Sequence, residues 1–531
     1  MNDIEIAQAV SNILSKYTTI APTVAIDPAP CSSQAMGLDR LDDIVVQALA
    51  QRALVSPGTA EPTAERDRLD DIVAKVLAQR SNASCGATQC STGEGAFATM
   101  DEAISAALIA QVQYRHCSMQ DRTTFINGIR EVFLQDDILQ KISHMTVEET
   151  GMGNYEDKLI KNRIAALKTP GPEDLITSAC SGDGGLTLTE YSAYGVIGSI
   201  TPTTNPTETI INNSIGMLAA GNTVVFSPHP RSKKVSLYVV ALINTKLNQL
   251  GAPANMVVTV FEPSIENTNV MIHDPRINML VVTGGPAIVK MVMSSGKKAI
   301  GAGAGNPPAI VDETADIEKA ARDIINGCSF DNNLPCIAEK EVIVVNQIAD
   351  YLIHCMKKSG AYLLSDNNLI KQLQSLVMNE KGTGPNTRFV GKDARYILQK
   401  LGISAPEDIK VILIETEKTH PFVIHELMMP ILPVVRVDNV DEAIELAVKV
   451  ENGNRHTAMM HSTNVEKLTK MARQIQTTIF VKNGPSYAGI GVGGEGHTTF
   501  TIAGPTGEGL TTARAFARNR RCVMVEALNI R

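Results

Sequence analysis

Four short segments of the chain carry residue types that could do chemistry together. Cys336 lies in FDNNLPCIAEKEVIVV, just ahead of an apolar run, and a cysteine thiolate is a strong nucleophile towards a carbonyl carbon. Asn205 lies in the proline-bracketed turn TPTTNP, where its amide either donates a hydrogen bond to an oxyanion or caps the turn. Gly284 and Gly285 follow an apolar run, where they either start a phosphate-binding helix or form a plain turn. Glu426 precedes another apolar run and is either a ligand-binding carboxylate or a solvated one. Because an isolated cysteine is usually an inert core residue, this chemistry requires a fold that brings the four segments together.

The elements that would position these residues are short apolar strands alternating with helices. Helical patterns over 100–115 and 121–134 come first, and strand and helix patterns then alternate to the end of the chain. This alternation indicates parallel sheets with crossover helices, the α/β class, in two units joined near residue 330. The predicted strands are YGVIGSI, NTVVFS, MVVTVF, NMLVVTG and PAIVDE in a first series and EVIVVN, DIKVILIE, LPVVRV, TAMMHS and TIFVKN in a second.

The first 96 residues differ in texture from the rest. Apolar stripes at helical spacing predict short amphipathic helices over 1–17, 38–52 and 66–80, joined by linkers rich in Pro, Thr, Ser and Ala. The second and third helices are a nearly identical internal repeat, LDRLDDIVVQALAQR and RDRLDDIVAKVLAQR. Helices this short are marginal alone in water, so they either pack on the main body or dock to a partner.

The composition argues against several other functional classes. With 531 residues and 44% hydrophobic content, the chain is long enough for two or three domains with large cores. A net charge of -8 and 4% aromatic residues argue against nucleic acid as a partner. No apolar run approaches the ~18 residues of a membrane span, and the polar faces of the short helices carry Asp pairs instead of basic residues. Nine cysteines without zinc-site spacing predict reduced thiols, no metal site and an intracellular protein.

In order and spacing, the motifs between about 97 and 530 resemble the aldehyde dehydrogenase superfamily. Within it, FDNNLPCIAEKEV, TPTTNP and HELMMPILPVVRV look like the CoA-acylating members that act on propionaldehyde or acetaldehyde. The resemblance implies a Rossmann-like NAD domain over 97–330, a catalytic domain over 331–500 and a C-terminal return over 501–531. It also implies a small oligomerisation element, in which a hairpin at about 175–193 and the C-terminal RCVMVEALNI pair between subunits of a dimer or tetramer.

The resemblance also assigns roles to individual residues. Cys336 would attack the aldehyde, while the Asn205 amide and the Cys336 backbone N–H would stabilise the oxyanion. NAD would accept the hydride, and coenzyme A would then take the acyl group from Cys336 in a ping-pong sequence. The residues implied for cofactor binding are Thr201, Pro202, Ser227, His229, Thr283, Gly284, Gly285 and Glu426.

Two departures from hydrolytic relatives bear on the reaction. The segment IGAGAGNPPAIVDE lacks the glutamate that serves those relatives as base for water, so the thioester is expected to persist until CoA arrives. The segment VVFSPHPRSKKVS lacks a carboxylate for the adenosine ribose, which leaves the choice between NAD and NADP open. Its basic residues, Arg231, Lys233 and Lys234, either contact CoA phosphates or form a solvated helix face. No base for the CoA thiol is evident; His425 is the nearest guess.

Three further interpretations concern rival functions and location. A hydrolytic or phosphorylating aldehyde dehydrogenase is the main alternative, and a scaffold built on the N-terminal helices is the alternative outside enzymology. The segment MNDIEIAQAVSNILSKY resembles the helices that target such enzymes into bacterial microcompartments. The sequence therefore predicts shell proteins as partners and a microcompartment lumen in a bacterial cytoplasm as the location.

Overall fold

The computed structural model describes residues 95–530 of the chain. The predicted helices at 1–17, 38–52 and 66–80 lie outside these residues and stay predictions. Within 95–530, every helix is too short or too polar to cross a lipid bilayer.

The strands follow the predicted α/β pattern. In chain order they are β1 (Ala96–Phe97), β2 (Ser178–Gly182), β3 (Gly185–Ala193), β4 (Val196–Thr201), β5 (Thr223–Pro228), β6 (Val257–Val260), β7 (Ile277–Thr283), β8 (Lys298–Ala302), β9 (Pro308–Val311), β10 (Glu341–Val345), β11 (Ala361–Leu363), β12 (Val411–Glu415), β13 (Ile431–Val437), β14 (Thr457–His461), β15 (Ile479–Lys482), β16 (Ile502–Ala503), β17 (Gly509–Leu510) and β18 (Ala517–Val525). Each of the ten predicted strands overlaps one of these.

The helices connect and cover the strands. In chain order they are α1 (Met100–Tyr114), α2 (Met119–Phe133), α3 (Asp136–Thr150), α4 (Tyr155–Leu167), α5 (Pro206–Ala219), α6 (Lys233–Gln249), α7 (Ile265–His273), α8 (Pro286–Met293), α9 (Ile317–Ser329), α10 (Asn346–Lys358), α11 (Asn367–Val377), α12 (Ala394–Lys400), α13 (Pro421–Ile424), α14 (Val440–Glu451) and α15 (Val465–Ile475). The predicted helices over 100–115 and 121–134 correspond to α1 and α2. Each begins at a side chain that accepts a backbone N–H, Thr99 and Ser118.

Two parallel sheets organise residues 95–530. The first has the order β1-β6-β5-β4-β7-β8 and the second the order β11-β12-β13-β10-β9-β14-β15. The inner strands β4, β5, β10 and β14 are buried throughout, which agrees with their continuous apolar runs. Because both sheets are parallel, the carboxyl ends of neighbouring strands meet at one edge, where the turns carrying Asn205 and Gly284 begin.

The division between the two units differs from the prediction. The strand PAIVDE was expected in the first unit, but β9 pairs with β10 and β14 in the second sheet. The change from one sheet to the other therefore falls between Ala302 and Pro308 instead of near residue 330. The cause is that an apolar strand next to a helix fits either sheet, and the sequence pattern does not specify which neighbours it will find.

A separate three-stranded antiparallel sheet has the order β18-β3-β2. The hairpin of β2 and β3 was expected to meet the C-terminal strand of another subunit. Instead β18 pairs with β3 of the same chain along its whole length, from Ala517 opposite Ala193 to Val525 opposite Gly185. Several β18 side chains are exposed, including Val523 at 56% and Val525 at 70%.

Candidate active site

All of the predicted cofactor residues except Glu426 lie at one edge of the first sheet. β4 lies between β5 and β7, and the chain crosses from one half of the sheet to the other after β6. Such a change of direction opens a crevice at the carboxyl ends of the strands, where α/β proteins bind nucleotides. Thr201 ends β4 and Thr283 ends β7, with Pro202 and Gly284 directly after them. Within residues 95–530 the buried Thr201 hydroxyl has no hydrogen-bond partner, so it is available to a ligand.

The glycine turn after β7 leads directly into α8. Exposed Gly285 is the residue before the helix, and the Gly284 N–H donates to the Ala302 carbonyl at 3.1 Å. The amide groups and dipole at this helix end favour an anion. Val289 packs on β8: a Cβ added to Gly301 would lie 3.0 Å from Val289 Cγ1.

The end of β5 carries the other two predicted cofactor residues. The Ser227 hydroxyl shares a hydrogen bond of 2.8 Å with Thr268 Oγ1. His229 Nδ1 accepts the Arg231 backbone N–H at 3.1 Å. Burial and then the Arg231 charge lower the pKa of His229, so its imidazole is neutral near pH 7. Both side chains lie beside the sheet edge that also carries Thr201.

The basic cluster after β5 is largely engaged within the protein. The Lys233 ammonium binds Glu262 at 2.6 Å, and the Arg231 guanidinium donates to the Thr150 carbonyl at 3.1 Å. These contacts favour the interpretation of a partly paired helix face over that of a preformed CoA phosphate site.

The loop that leads to Cys336 has an unusual backbone. Asp331, Asn332 and Asn333 all have positive φ, at 49°, 55° and 64°. Three consecutive residues in this region cost of order 1–3 kcal/mol each unless their surroundings fix them. The side-chain amides supply such fixing: Asn332 donates to the Gly391 carbonyl at 3.0 Å, and Asn333 donates to the Cys328 carbonyl at 2.9 Å. Cys336 is therefore presented by a strained, tightly held turn.

Lys340 connects this turn to Glu426. Its ammonium donates to Asn333 Oδ1 at 2.7 Å and lies 3.7 Å from the Glu426 carboxylate. Only 12% of the Glu426 side chain is exposed, so it is not a solvated residue. Burial raises the pKa of Glu426, while Lys340 and the Gly305 backbone N–H lower it.

The Cys336 thiol is protonated in the free protein. Burial, and then the neighbouring Glu426 carboxylate, raise its pKa to about 12, against the opposing charges of Lys340 and Lys161. The thiol is therefore protected until ligands change its surroundings. Lys161 contacts both Asn205 and Asp331 of the cysteine loop. Lys340 contacts Asn333 of the same loop and Glu426, so the Cys336, Asn205 and Glu426 regions lie close together.

Asn205 lies at the start of α5 beside a buried ion cluster. Its side-chain oxygen accepts a hydrogen bond of 2.5 Å from the Lys161 ammonium. That ammonium also lies 2.5 Å from Asp331 and 3.0 Å from Glu208, and all three side chains are fully buried. The neighbouring Lys158 ammonium lies 2.9 Å from Asp331. The Asn205 side chain does not cap α5, so the turn-capping interpretation is wrong.

Glu339 and His456 are buried titratable residues near Cys336 that the sequence motifs did not point to. His456 has no partner at Nε2 among residues 95–530, and burial lowers its pKa to about 3, helped by the Lys340 charge. A Cβ added to Gly305 would lie 2.7 Å from the Cys336 carbonyl oxygen and 2.9 Å from His456 Cγ. The backbone of Gly305, which has no side chain, therefore lies between the His456 ring and the Cys336 carbonyl. The only sequence signal for the histidine was the pair Arg455-His456 after a helix, which is not specific.

The segment that supplies the water-activating acid in hydrolytic relatives has none here. Gly303, Ala304 and Gly305 cross this position between β8 and β9. Within residues 95–530, no group of His, Cys, Asp and Glu side chains has the arrangement of a metal site.

Glu339 gives a pH-dependent test of the cysteine loop. It is fully buried, accepts hydrogen bonds from the Ser486 N–H and hydroxyl at 2.8 and 2.7 Å, and burial raises its pKa to about 7. Because the folded pKa lies above the unfolded pKa of about 4.5, the protonated side chain stabilises the fold fully below about pH 4.5. This stabilisation is lost as the pH rises through 7. The free energy of unfolding of Glu339→Gln, measured relative to wild type, should therefore rise by roughly 2–4 kcal/mol from pH 5 to pH 8. Denaturant unfolding at both pH values measures this, with exposed Glu445→Gln as control. An equal difference at the two pH values would contradict it.

The comparisons with known proteins agree with this architecture. The aldehyde dehydrogenase family profile matches residues 75–375 and 407–509. Propanal dehydrogenase (CoA-propanoylating) from Salmonella typhimurium is 54% identical over 440 residues, which cover 83% of this chain and 94% of that protein.

Two solved structures extend the agreement to three dimensions. Propionaldehyde dehydrogenase from Rhodopseudomonas palustris, crystallised with CoA and an acylated cysteine, is 69% identical with a TM-score of 0.82. The match covers 82% of this chain and 100% of that one. The propionaldehyde dehydrogenase of the Clostridium phytofermentans fucose utilisation microcompartment is 51% identical with a TM-score of 0.80, covering 82% and 100%. The predicted fold class is confirmed, and the chain belongs to the aldehyde dehydrogenase family.

Proposed function

We propose that the protein oxidises a short aldehyde with NAD and transfers the acyl group to coenzyme A. Propionaldehyde is the preferred substrate and acetaldehyde the second. The observation that carries the proposal is the group formed by Cys336, Asn205 and Glu426 beside a segment, 303–305, that offers no carboxylate to activate water. The similarity to CoA-acylating relatives supports the same reaction.

The protein residues divide the work of the first half-reaction. The Cys336 thiol gives up its proton to solvent and its thiolate attacks the aldehyde carbon. The Asn205 amide and the Cys336 backbone N–H donate to the oxygen that becomes negative. NAD, when bound, supplies the hydride acceptor. Thr201, Pro202, Ser227, His229, Thr283, Gly284 and Gly285 would hold it in the crevice, with Glu426 on the nicotinamide ribose. Cys336 is left as a thioester.

The second half-reaction needs a base for the CoA thiol, and His456 is the residue we propose. Its imidazole is neutral at physiological pH and its Nε2 is unpartnered within the described residues, so it can accept a proton. Because a base of such low pKa is weak, transfer of the proton to His456 accompanies attack of the CoA sulfur on the thioester. The Cys336 sulfur then leaves the acyl carbon as a thiolate, and His456 returns the proton to it.

The experiment that tests the reaction follows NADH formation from propionaldehyde with and without CoA. Without CoA, about one NADH per active subunit should form rapidly and the reaction should then stop, because the thioester lacks a base for hydrolysis. With CoA, turnover should continue and propionyl-CoA should accumulate. Continuous NADH formation without CoA would identify the hydrolytic alternative, and no NADH under either condition would exclude a dehydrogenase.

An even oligomer, a dimer or a tetramer, is the proposed assembly. Along β18 and its partner strands, Val523, Thr187 and Cys180 lie on one face in adjacent register positions. Val523 is 56% exposed and Cys180 is also exposed, so this face is available to another subunit. Although β18 pairs within its own chain, the whole three-stranded sheet can still pack on a second copy.

The helix predicted over 1–17 is proposed to place the enzyme in a microcompartment lumen through shell proteins. Deletion of residues 1–17 should leave kcat and KM for propionaldehyde unchanged, because these residues lie outside the catalytic body matched by the family profile. The same deletion should abolish co-purification with shell proteins. Deletion of 38–52 alone, which also lies outside the profile match, is the matched control. Unchanged co-purification after removal of 1–17 would refute the assignment.

A further inference from the structure

The buried lysine on α4 fixes the direction of the Asn205 amide. Lys161 Nζ lies 2.5 Å from the Asn205 side-chain oxygen. A lysine ammonium has three donors and no acceptor, so it can face only the oxygen of an amide, never the nitrogen. The Asn205 Nδ2 group is therefore forced away from Lys161, and within residues 95–530 its only hydrogen bond is a long one of 3.3 Å to Thr204 Oγ1.

Lys161 is itself held by the loop that carries the nucleophile. Its second strong contact is the Asp331 carboxylate at 2.5 Å, and Asp331 is the first of the three positive-φ residues before Cys336. Asp331 is anchored in turn, because its backbone N–H donates to Asp157 at 2.7 Å and its carboxylate accepts the Asn154 N–H at 3.0 Å. One ammonium thus bridges Asn205, at the start of α5, and the cysteine loop.

The cluster contains equal numbers of acidic and basic side chains, which lowers the cost of burying them together. Two ammonium groups, of Lys158 and Lys161, face two carboxylates, of Glu208 and Asp331, and all four side chains are fully buried. The opposite charges of Asp331 and Glu208 together outweigh burial and raise the pKa of Lys161, so it stays charged. Buried charges are costly to desolvate, so the cluster is poor evidence of stability and calls for another role.

We infer that Lys161 is a positioning residue for aldehyde oxidation, which orients and polarises the Asn205 amide so that Nδ2 donates to the oxyanion. A charged hydrogen bond on the amide oxygen strengthens the N–H donors at the other end of the same group. Without it the amide can turn over and present its oxygen, an acceptor, to a negative atom. This inference rests on the proposed function, in which Asn205 stabilises the oxyanion.

The test is a double-mutant cycle in a charge-balanced background. Glu208→Gln and Lys161→Met together remove one charge of each sign and leave the Lys158–Asp331 pair, which avoids an unpaired buried carboxylate. Lys161→Leu serves as a second neutral variant if the Met variant does not fold. Single-turnover NADH formation is measured for Glu208→Gln, with and without the lysine change, each with and without Asn205→Ala.

Asn205→Ala should slow NADH formation about 10²–10³-fold, as loss of one oxyanion donor does. In the Glu208→Gln background, the lysine change should slow it about 10–10²-fold when Asn205 is present, and less than about threefold when Asn205→Ala has already removed the amide. Lys158→Met in the same background is the control, because it removes an equal charge that is bonded to the Thr204 carbonyl and not to the Asn205 side chain. It should slow NADH formation less than about tenfold. Equal losses with and without the Asn205 amide, or no loss, would overturn the inference. Absence of NADH formation in the wild type would instead refute the proposed function.

Discussion

Replacement of Cys336 by serine should lower NADH formation from propionaldehyde on the order of 10⁴-fold or more. A serine hydroxyl is a weak nucleophile without an adjacent base, and the Glu426 carboxylate is paired with Lys340. The charges of Lys340 and Lys161 favour the Cys336 thiolate, against the burial and the Glu426 carboxylate that raise the pKa of the thiol. Stopped-flow absorbance of NADH, with saturating NAD and CoA, measures the change directly.

Two controls sharpen this result. Cys522→Ser replaces an exposed thiol on β18, far in sequence from the site, and should leave kcat unchanged. Labelling of Cys336 by iodoacetamide in the free protein should rise about tenfold per pH unit between about pH 7 and 10, because its pKa is raised to about 12 and only the thiolate reacts. Full activity of Cys336→Ser would exclude Cys336 as the nucleophile. A labelling rate that stops rising below about pH 9 would contradict the raised pKa of its thiol.

Replacement of His456 by glutamine should slow acyl transfer to CoA about 10²-fold or more while leaving the first NADH burst intact. Glutamine preserves much of the size of the ring but cannot accept a thiol proton. The prediction separates the two half-reactions, because His456 lies behind Gly305 beside the Cys336 carbonyl and has no part in aldehyde attack. Rapid mixing of the preformed acyl-enzyme with CoA measures the second step alone.

The chain provides a matched control for this histidine. His461 ends β14, the strand that His456 directly precedes; it is also buried, with its pKa lowered to about 4 mainly by burial, and also lacks a partner at Nε2 within the described residues. His461→Gln should leave acyl transfer unchanged. If both variants slow acyl transfer equally, the cause is disturbance of β14, and His456 is not the base.

The sequence predicted ten strands that the structure contains, and it placed several candidate site residues at strand ends. Apolar runs such as YGVIGSI and EVIVVN predicted buried strands because their composition alone meets the requirement of a parallel sheet. Residues at strand ends, such as Thr201 and Gly284, could be placed at one edge because parallel strands align their carboxyl ends. The membership of β9 could not be predicted, since it depends on which strands are nearest in space.

The supporting residues of the site were not predictable in the same way. Lys158 and Lys161 look like the solvated face of an amphipathic helix, because nothing local reveals carboxylates arriving from α5 and from the cysteine loop. The sequence also gives no indication of a role for His456, since that role depends on Gly305, from another segment, lying against its ring. Such contacts join residues far apart in the chain, and a single sequence carries no local pattern for them.

The pairing of β3 with β18 has a consequence for how the protein is made. Roughly 320 residues of chain separate Ala193, the end of β3, from Ala517, the start of β18. At about 5–20 residues per second, a ribosome needs some tens of seconds to supply the missing strand. Throughout this interval one edge of β3 is open, and open strand edges pair with one another on neighbouring chains. Nascent chains on one messenger, and any product that ends before residue 517, should therefore be the species that most need a chaperone.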